Sequence, residues 1–218
     1  MADLVDAMLR SLLQMVTGND PEPHKDLVRT GKAIDRLQEA LKVYLTQLGT
    51  DGLSEADARR HGHVLDFAVN LGHAADIIER SLADAAIRKA KRGYVLTQDD
   101  DADLRTFHGR VLESLRLAAS TFMTEDIRSA QNLLDAKRRL NALERATGRR
   151  RLGRLQAGTP GGLEGSTLHL AILRDLRRVN SHVSAIAYDV LDISDPVEGR
   201  DEPAAVMLAL QNADEERL

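Results

Sequence analysis

The sequence predicts an all-α fold on three observations. Leucine and alanine, both strong helix formers, are its most frequent residues. Aromatic residues, which favour strands, number only six, and there is no tryptophan. No proline occurs between His24 and Thr159, so long helices meet no break there.

Three periodic segments fill residues 1–93. We predict helices at Ala2–Thr17, Pro23–Leu48 and from Ser54 to Gly93, where Ser54-Glu-Ala-Asp57 forms a capping box. Apolar residues recur at alternating threes and fours in each helix, which indicates one buried face. On the second helix the predicted inward residues are Leu27, Val28, Ile34, Leu37, Leu41, Tyr44, Leu45 and Leu48.

Three more helices are predicted in residues 97–192. The fourth is capped by Thr97 and ends near Met123, and the fifth is capped by Thr124 and ends near Leu155. A glycine-rich loop, residues 158–165, precedes the sixth helix, which begins at Ser166 or Thr167 and ends near Leu191. The predicted core row of the sixth helix is Ile172, Leu176, Val179, Val183, Ile186 and Val190.

The two groups of helices align with each other at shifts of 105 to 107 residues, as Val5 with Leu112 and Ile34 with Leu140. We therefore predict a tandem pair of antiparallel three-helix bundles, with domains at 1–93 and 97–192. Residues 193–218 form an acidic tail that we predict to be mostly disordered, with a short helix around 204–212. The longest stretch without a charged residue, Pro203–Ala213, is too short to span a bilayer, and the acidic N-terminus lacks a signal peptide's positive region.

Polar residues border the apolar stripes of the third and sixth helices. They are Asn70, His73, Asp76, Asp175, Arg178 and His182. Two interpretations stay open: metal or anion binding at the seam between bundles, or a polar border held by ion pairs between neighbouring residues.

No pattern in the chain indicates catalysis. Cysteine is absent, and so are Glu-x-x-His, the phosphate-binding and dinucleotide-binding glycine motifs and the nucleophile elbow. We expect no enzymatic activity and no cofactor.

One segment is strongly basic. Residues 137–154 hold eight Lys and Arg against the single acid Glu144, a local charge of 8 − 1 = +7 in a chain of net charge −4. Its candidates for contact with an anionic surface are Arg149, Arg150, Arg151 and Arg154. The segment either faces anionic lipid or an acidic partner, or is a solvated helix face paired with acids elsewhere. Nucleic acid is not expected, because no aromatic residues interleave the arginines.

Two stretches, Leu71–Arg80 (LGHAADIIER) and Ile34–Leu45, are similar to two helices of PhoU-like domains. Ser166–Tyr188, with its RDLRRVNSH, resembles their last long helix in the form attached to bacterial sodium/phosphate cotransporters. The resemblance spans about residues 3 to 192, and it implies paired three-helix bundles on the cytoplasmic side of the membrane.

The resemblance also implies metal clusters held by Glu/Asp-x-x-x-Asp motifs, from which this sequence departs. Gly72, Arg177 and Ser181 stand where acids are expected, and only Asp76 of the four motif carboxylates remains. We therefore expect no metal site. If a metal were found, Asp35, His73 and Asp76 would be the first candidate ligands.

Together these observations predict a non-enzymatic regulatory or coupling domain of a sodium-dependent phosphate transporter, at the inner face of the cell membrane. Its partner is the membrane part of that transporter, in the same or a separate chain, with an anionic lipid surface as a further contact. The alternatives are a free-standing PhoU-type regulator of phosphate uptake, docking on a transporter or sensor kinase, and a metal-binding helical bundle.

Overall fold

The computed structural model describes residues 1–18, 23–48, 54–156 and 163–192, and no strand occurs among them. The predicted all-α class is confirmed. The helices are α1 (Ala2–Gly18), α2 (Pro23–Leu48), α3 (Glu55–Asp76), α4 (Ala83–Lys91), α5 (Gln98–Thr124), α6 (Ile127–Gln156), α7 (Leu163–Val183) and α8 (Ile186–Leu191). A π-helical segment, Ile77–Leu82, joins α3 to α4.

Two of the predicted helix starts are found as expected. The Ser54 side chain accepts a hydrogen bond from the Asp57 backbone N–H. Thr97 and Asp100 form a reciprocal capping box at the start of α5. After α4, Gly93 adopts a positive φ of 65° that its missing Cβ allows.

Two predicted boundaries are wrong. Thr124 does not cap the fifth helix, because its hydroxyl donates to the Ser120 carbonyl within the last turn of α5. The Asp126 carboxylate caps α6 instead, accepting from the Ser129 N–H at 2.8 Å. In addition, α7 begins at Leu163, inside the predicted loop, whose residues 158–162 lie outside the described part of the chain.

The third and sixth predicted helices are each nearly continuous, with one local irregularity. In the π-helical segment the Ala83 N–H donates to the Ile78 carbonyl, five residues back rather than four. Between α7 and α8 the pattern tightens at Ser184, where the Ala187 N–H reaches only three residues back.

The helices pack as the tandem pair of bundles that the sequence predicts. The first three rods (α1, α2 and α3–α4) lie together, as do α5, α6 and α7–α8, while α1 packs on α5 and α3 on α7. One hydrophobic core runs through both groups, including Leu12, Ile78, Phe107, Leu133 and Ile172. Because this core is continuous, the division at 1–93 and 97–192 stays a prediction.

In the second half of α2, several residues that were predicted to face inward are exposed. Leu27, Ile34 and Leu45 are buried, but Leu37, Tyr44 and Leu48 are 47%, 58% and 54% exposed. These three residues lie on a side of α2 that no described helix covers. Periodicity showed that they share one face of the helix, but it could not show whether another helix packs on that face.

Among the described residues, no helix has both the length and the apolar character needed to cross a bilayer. The predicted acidic tail, 193–218 with its short helix at 204–212, lies outside the described residues.

Candidate functional site

The two polar borders predicted on the third and sixth helices meet at the packing of α3 against α7. His182 Nδ1 lies 3.1 Å from the Asn70 side-chain oxygen, and the rings of His73 and His182 are 5.3 Å apart. This contact joins the two bundles across 112 residues of sequence. It brings together three of the six predicted border residues.

The other three border residues are engaged in local ion pairs. Asp175 is buried and accepts from Arg178 at 3.4 Å and from Arg174 at 3.3 Å. Asp76 is half-exposed and lies 3.4 Å from Arg80 on the next turn. These pairs favour the interpretation of a polar border over that of a ligand site.

The residues that stand where the resemblance expects acids have other neighbours. A Cβ at Gly72 would collide with the end of the Gln38 side chain, which lies against this glycine. In the second half, Arg177 lies 3.7 Å from Glu144. The Ser181 hydroxyl donates to the Arg177 carbonyl.

A carboxylate that sequence reasoning missed lies near the weak metal candidates. Glu79, in the π-helical segment, reaches over Gly31 of α2, and a Cβ there would collide with it. Burial raises the pKa of Glu79, and the charges of Asp35 and Asp76 raise it further, against Arg80. Even so, the described residues hold no cluster of three or more His, Asp or Glu with metal-binding geometry.

We expect no tightly held iron or zinc in the purified chain, because Gly72, Arg177 and Ser181 stand where the resemblance expects acids and no cluster of ligands occurs among the described residues. Elemental analysis after dialysis without chelator measures this. One or more ions per chain would contradict the expectation. Loss of that metal in Asp76→Asn, and not in a matched variant of the exposed Asp84 on α4, Asp84→Asn, would then locate the ion.

The basic segment 137–154 is not one surface. Lys137 is buried, with its ammonium 3.2 Å from the Tyr188 hydroxyl and 4.6 Å from the ring centroid. Arg138 pairs with Asp135, and Arg150 reaches Asp103 at 2.8 Å. Much of the predicted positive charge is thus compensated within the fold.

The prediction of a surface arginine is wrong at Arg151, which is 8% exposed and forms a two-point ion pair with buried Asp100. Arg145 and Arg149 are exposed, and neither forms an ion pair within the described residues. The side chain of Arg154 lies outside those residues.

A cavity that the sequence did not predict lies where α4, the 94–97 connection, α5, α6 and α7 meet. We call it the junction cavity. It has an empty volume of about 390 Å³, part of which is open to solvent. Its polar lining consists of Lys89, Tyr94, Thr97, Asp100, Arg151 and His169, and the rest of its wall is apolar apart from one glycine.

Four ionisable side chains of the junction cavity are more than nine-tenths buried: Lys89, Asp100, Arg151 and His169. Burial alone would raise the pKa of Asp100, but hydrogen bonds from Arg151 and Thr97 outweigh it and lower that pKa. Burial lowers the pKa of Lys89, against the attraction of Asp101.

One signal in the sequence could have identified Arg151 as a core position. The buried residues of α6 continue from Leu133 through Lys137, Leu140, Thr147 and Arg151 on the same alternation of threes and fours. Lys89 likewise continues a buried row after Leu82 and Ala86, and His169 precedes Ile172 in another. Periodicity could not show that the two meet, because they come from segments 80 residues apart.

Comparison with solved structures identifies the architecture. The structure matches PhoU from Pseudomonas aeruginosa with a TM-score of 0.79, covering 88% of this chain and 90% of that one at 16% identity. The chain has a PhoU-like fold. A second match, the phosphate transport system regulatory protein PhoU from Streptococcus pneumoniae, gives a TM-score of 0.75 at 16% identity, covering 87% of each chain.

Sequence relatives are longer than this PhoU-like chain. Over 200 residues, 92% of the chain, it is 32% identical to the "Putative inorganic phosphate export protein YjbB" of Escherichia coli K12 and 30% identical to its Salmonella typhimurium counterpart. The matched region is 37% of the length of those proteins. No family model matches the chain.

Proposed function

We propose that the chain is the non-enzymatic regulatory part of a phosphate transport protein, acting at the cytoplasmic face of the membrane. The observation that carries this proposal is the match to proteins named for phosphate export, over 92% of this chain but only 37% of theirs. The larger, unmatched share of such a protein is where membrane-crossing helices would lie. Sodium coupling rests on the resemblance of the last long helix alone.

A free-standing regulator that docks on a separate transporter or sensor kinase is the second candidate. It is supported by the coverage of the solved PhoU chains, because 90% and 87% of those chains are matched by this chain alone. The metal-binding bundle has no comparable support, since no ligand cluster occurs among the described residues.

Phosphate flux and polypeptide size test the proposal together. In cells lacking the gene, uptake and efflux of ³²P-phosphate should change, and the intact gene should restore them. An antibody against this chain should detect a membrane-bound polypeptide much heavier than 24.0 kDa. A 24.0 kDa band that copurifies with a transporter would favour the second candidate, and unchanged flux in both directions would contradict both.

The exposed arginines near the end of α6 lead to a prediction about membrane contact. If that end faces anionic headgroups within the Debye length of about 8 Å, each arginine contributes roughly 1 kcal/mol. The double change Arg145→Ser and Arg149→Ser should therefore weaken binding to phosphatidylserine liposomes by about tenfold or more. Binding should also fall as salt rises.

The matched control removes two exposed arginines elsewhere, Arg116→Ser and Arg128→Ser, with the same change in net charge. We leave Arg151 unchanged because it is buried against Asp100. Equal loss in both double variants, or binding that salt does not affect, would contradict a membrane-facing end of α6.

A further inference from the structure

The second half of α2 carries an apolar row that the described helices leave uncovered. Leu37, Leu41, Tyr44 and Leu48 follow one another at steps of four, three and four, which places them on one side of the helix. Tyr44 and Leu48 are more than half exposed. This spacing is typical of a helix face that packs against another helix. We call these four residues the α2 row.

An apolar segment of matching length lies beyond the described residues, in the acidic tail. The run Pro203–Ala213 contains no charged residue, and its Val206, Leu210 and Ala213 recur at steps of four and three. As a helix this run would be about 16 Å long, close to the rise of about 16 Å from Leu37 to Leu48. The run and the α2 row therefore agree in length and in apolar character.

The last described residue lies at the same end of the molecule as the end of the α2 row. The rod of α7 and α8 runs antiparallel to α3, because His182 contacts Asn70 while the earlier His169 lines a cavity with the later Lys89. α2 also runs antiparallel to α3. Its register is given by two close approaches, Gln38 to Gly72 and Glu79 to Gly31. Continuing the two registers places Asp192 and Leu48 beside the same N-terminal part of α3.

The chain between α8 and the run Pro203–Ala213 is long enough to reach the α2 row. α8 packs on α3, and α3 packs on α2, with helix axes typically 8–10 Å apart. Residues 193–202 span about 33 Å when extended, which exceeds two such spacings. The run can thus begin beside the C-terminal end of the α2 row.

The charges that follow the run complement α2 in one direction. A run that starts at the C-terminal end of the row and lies antiparallel to α2 brings the acids at 214–216 level with Arg36. Arg36 is exposed and forms no ion pair within the described residues. The acids Asp35 and Glu39 are each two residues from Leu37, so they lie roughly 160° around the helix from it. The antiparallel direction therefore pairs opposite charges.

We propose that the tail of this chain folds back and that Pro203–Ala213 packs as a helix, antiparallel to α2, on the α2 row. Burial of the exposed Leu37, Tyr44 and Leu48 stabilises the contact. Because the short linker keeps the run at an effective concentration in the millimolar range, the run outcompetes a second copy of the chain in dilute solution. The contact does not depend on the proposed function, so its test and the flux experiment can fail separately.

A disulfide tests this contact directly, because the chain contains no cysteine. Tyr44→Cys combined with Met207→Cys should form an intramolecular disulfide under mild oxidation of the dilute full chain, identified by mass spectrometry of its peptides. The matched control combines Met207→Cys with Thr46→Cys, an exposed position roughly 160° around α2 from Tyr44. The first pair should crosslink about tenfold faster than the control or more, since only its partner faces the run.

Hydrogen exchange gives a second readout that needs no cysteine. Leu210→Asp should release the run and speed exchange in residues 37–48 by about threefold or more, whereas Val197→Asp, in the linker, should not. The proposal is overturned if neither cysteine pair forms a disulfide, if both form it equally fast, or if Leu210→Asp exchanges like Val197→Asp. Disulfide-linked dimers as the main product of Tyr44→Cys alone would assign the α2 row to a second copy instead.

Discussion

Val183→Asp should unfold the chain or lower its melting temperature by roughly 10 °C or more. Val183 is completely buried at the end of α7 and belongs to the continuous core. A carboxylate there would be desolvated in the hydrophobic core, which costs about 4 kcal/mol or more. Thermal unfolding followed by circular dichroism measures the effect.

The matched control for this change is Val43→Asp, at a valine that is 47% exposed on α2. Valine and aspartate have similar helix propensities, so the control should lie within about 0.5 kcal/mol of the unaltered chain. If Val183→Asp melted at the same temperature as the unaltered chain, this side of α7 would be exposed. The packing of α7 against the core would then be wrong.

Arg151→Met should destabilise the chain by about 3–5 kcal/mol, because it leaves the Asp100 carboxylate buried without its cation. Arg150→Met, one residue earlier, removes an exposed ion pair with Asp103 and should cost at most about 1 kcal/mol. Adding Asp100→Asn to Arg151→Met should recover much of the loss, since no unpaired charge then stays buried.

The ion pair of Arg151 with Asp100 makes the stability of the chain depend on pH. Because the pKa of Asp100 is lower in the folded chain than in the unfolded one, its contribution is complete at neutral pH. That contribution is lost as the pH falls below the usual range of an aspartate. Arg151→Met should therefore flatten the acid limb of the stability profile, and equal acid sensitivity in both chains would contradict this origin.

Local rules predicted most of the fold. The helices and the caps at Ser54 and Thr97 follow from propensity, periodicity and capping chemistry, all of which act within a few residues. One failure was local, since Asp126 and not Thr124 caps α6. The larger failures arose where the outcome depends on distant neighbours. Leu37 and Tyr44 share an apolar row, but only the position of the other helices decides whether that row is covered.

The candidate sites show the same difference between what local rules predict and what depends on distant neighbours. The contact of Asn70 with His182 involves two borders that the sequence identified, although their meeting required the packing of α3 on α7. The junction cavity was not predictable, because Lys89, Arg151 and His169 come from three separate elements. The prediction that Arg151 lies on the surface was also wrong. A run of arginines indicates a solvated surface, but Arg151 continues the buried row of α6.

The π-helical segment at Ile77–Leu82 has a consequence for how the chain tolerates changes in length. A π turn contains one residue more than a turn of α-helix. Because the wider turn takes up this extra residue, the apolar faces of α3 and α4 both point to the core. Removing one residue elsewhere in a long helix rotates everything after it by about 100° and exposes half of its apolar face. Here the loss of a solvent-exposed residue such as Arg80 would convert the segment to regular α-helix with both flanks still in phase. The deletion of a single residue, normally confined to loops, is thus accommodated in the middle of the longest rod among the described helices.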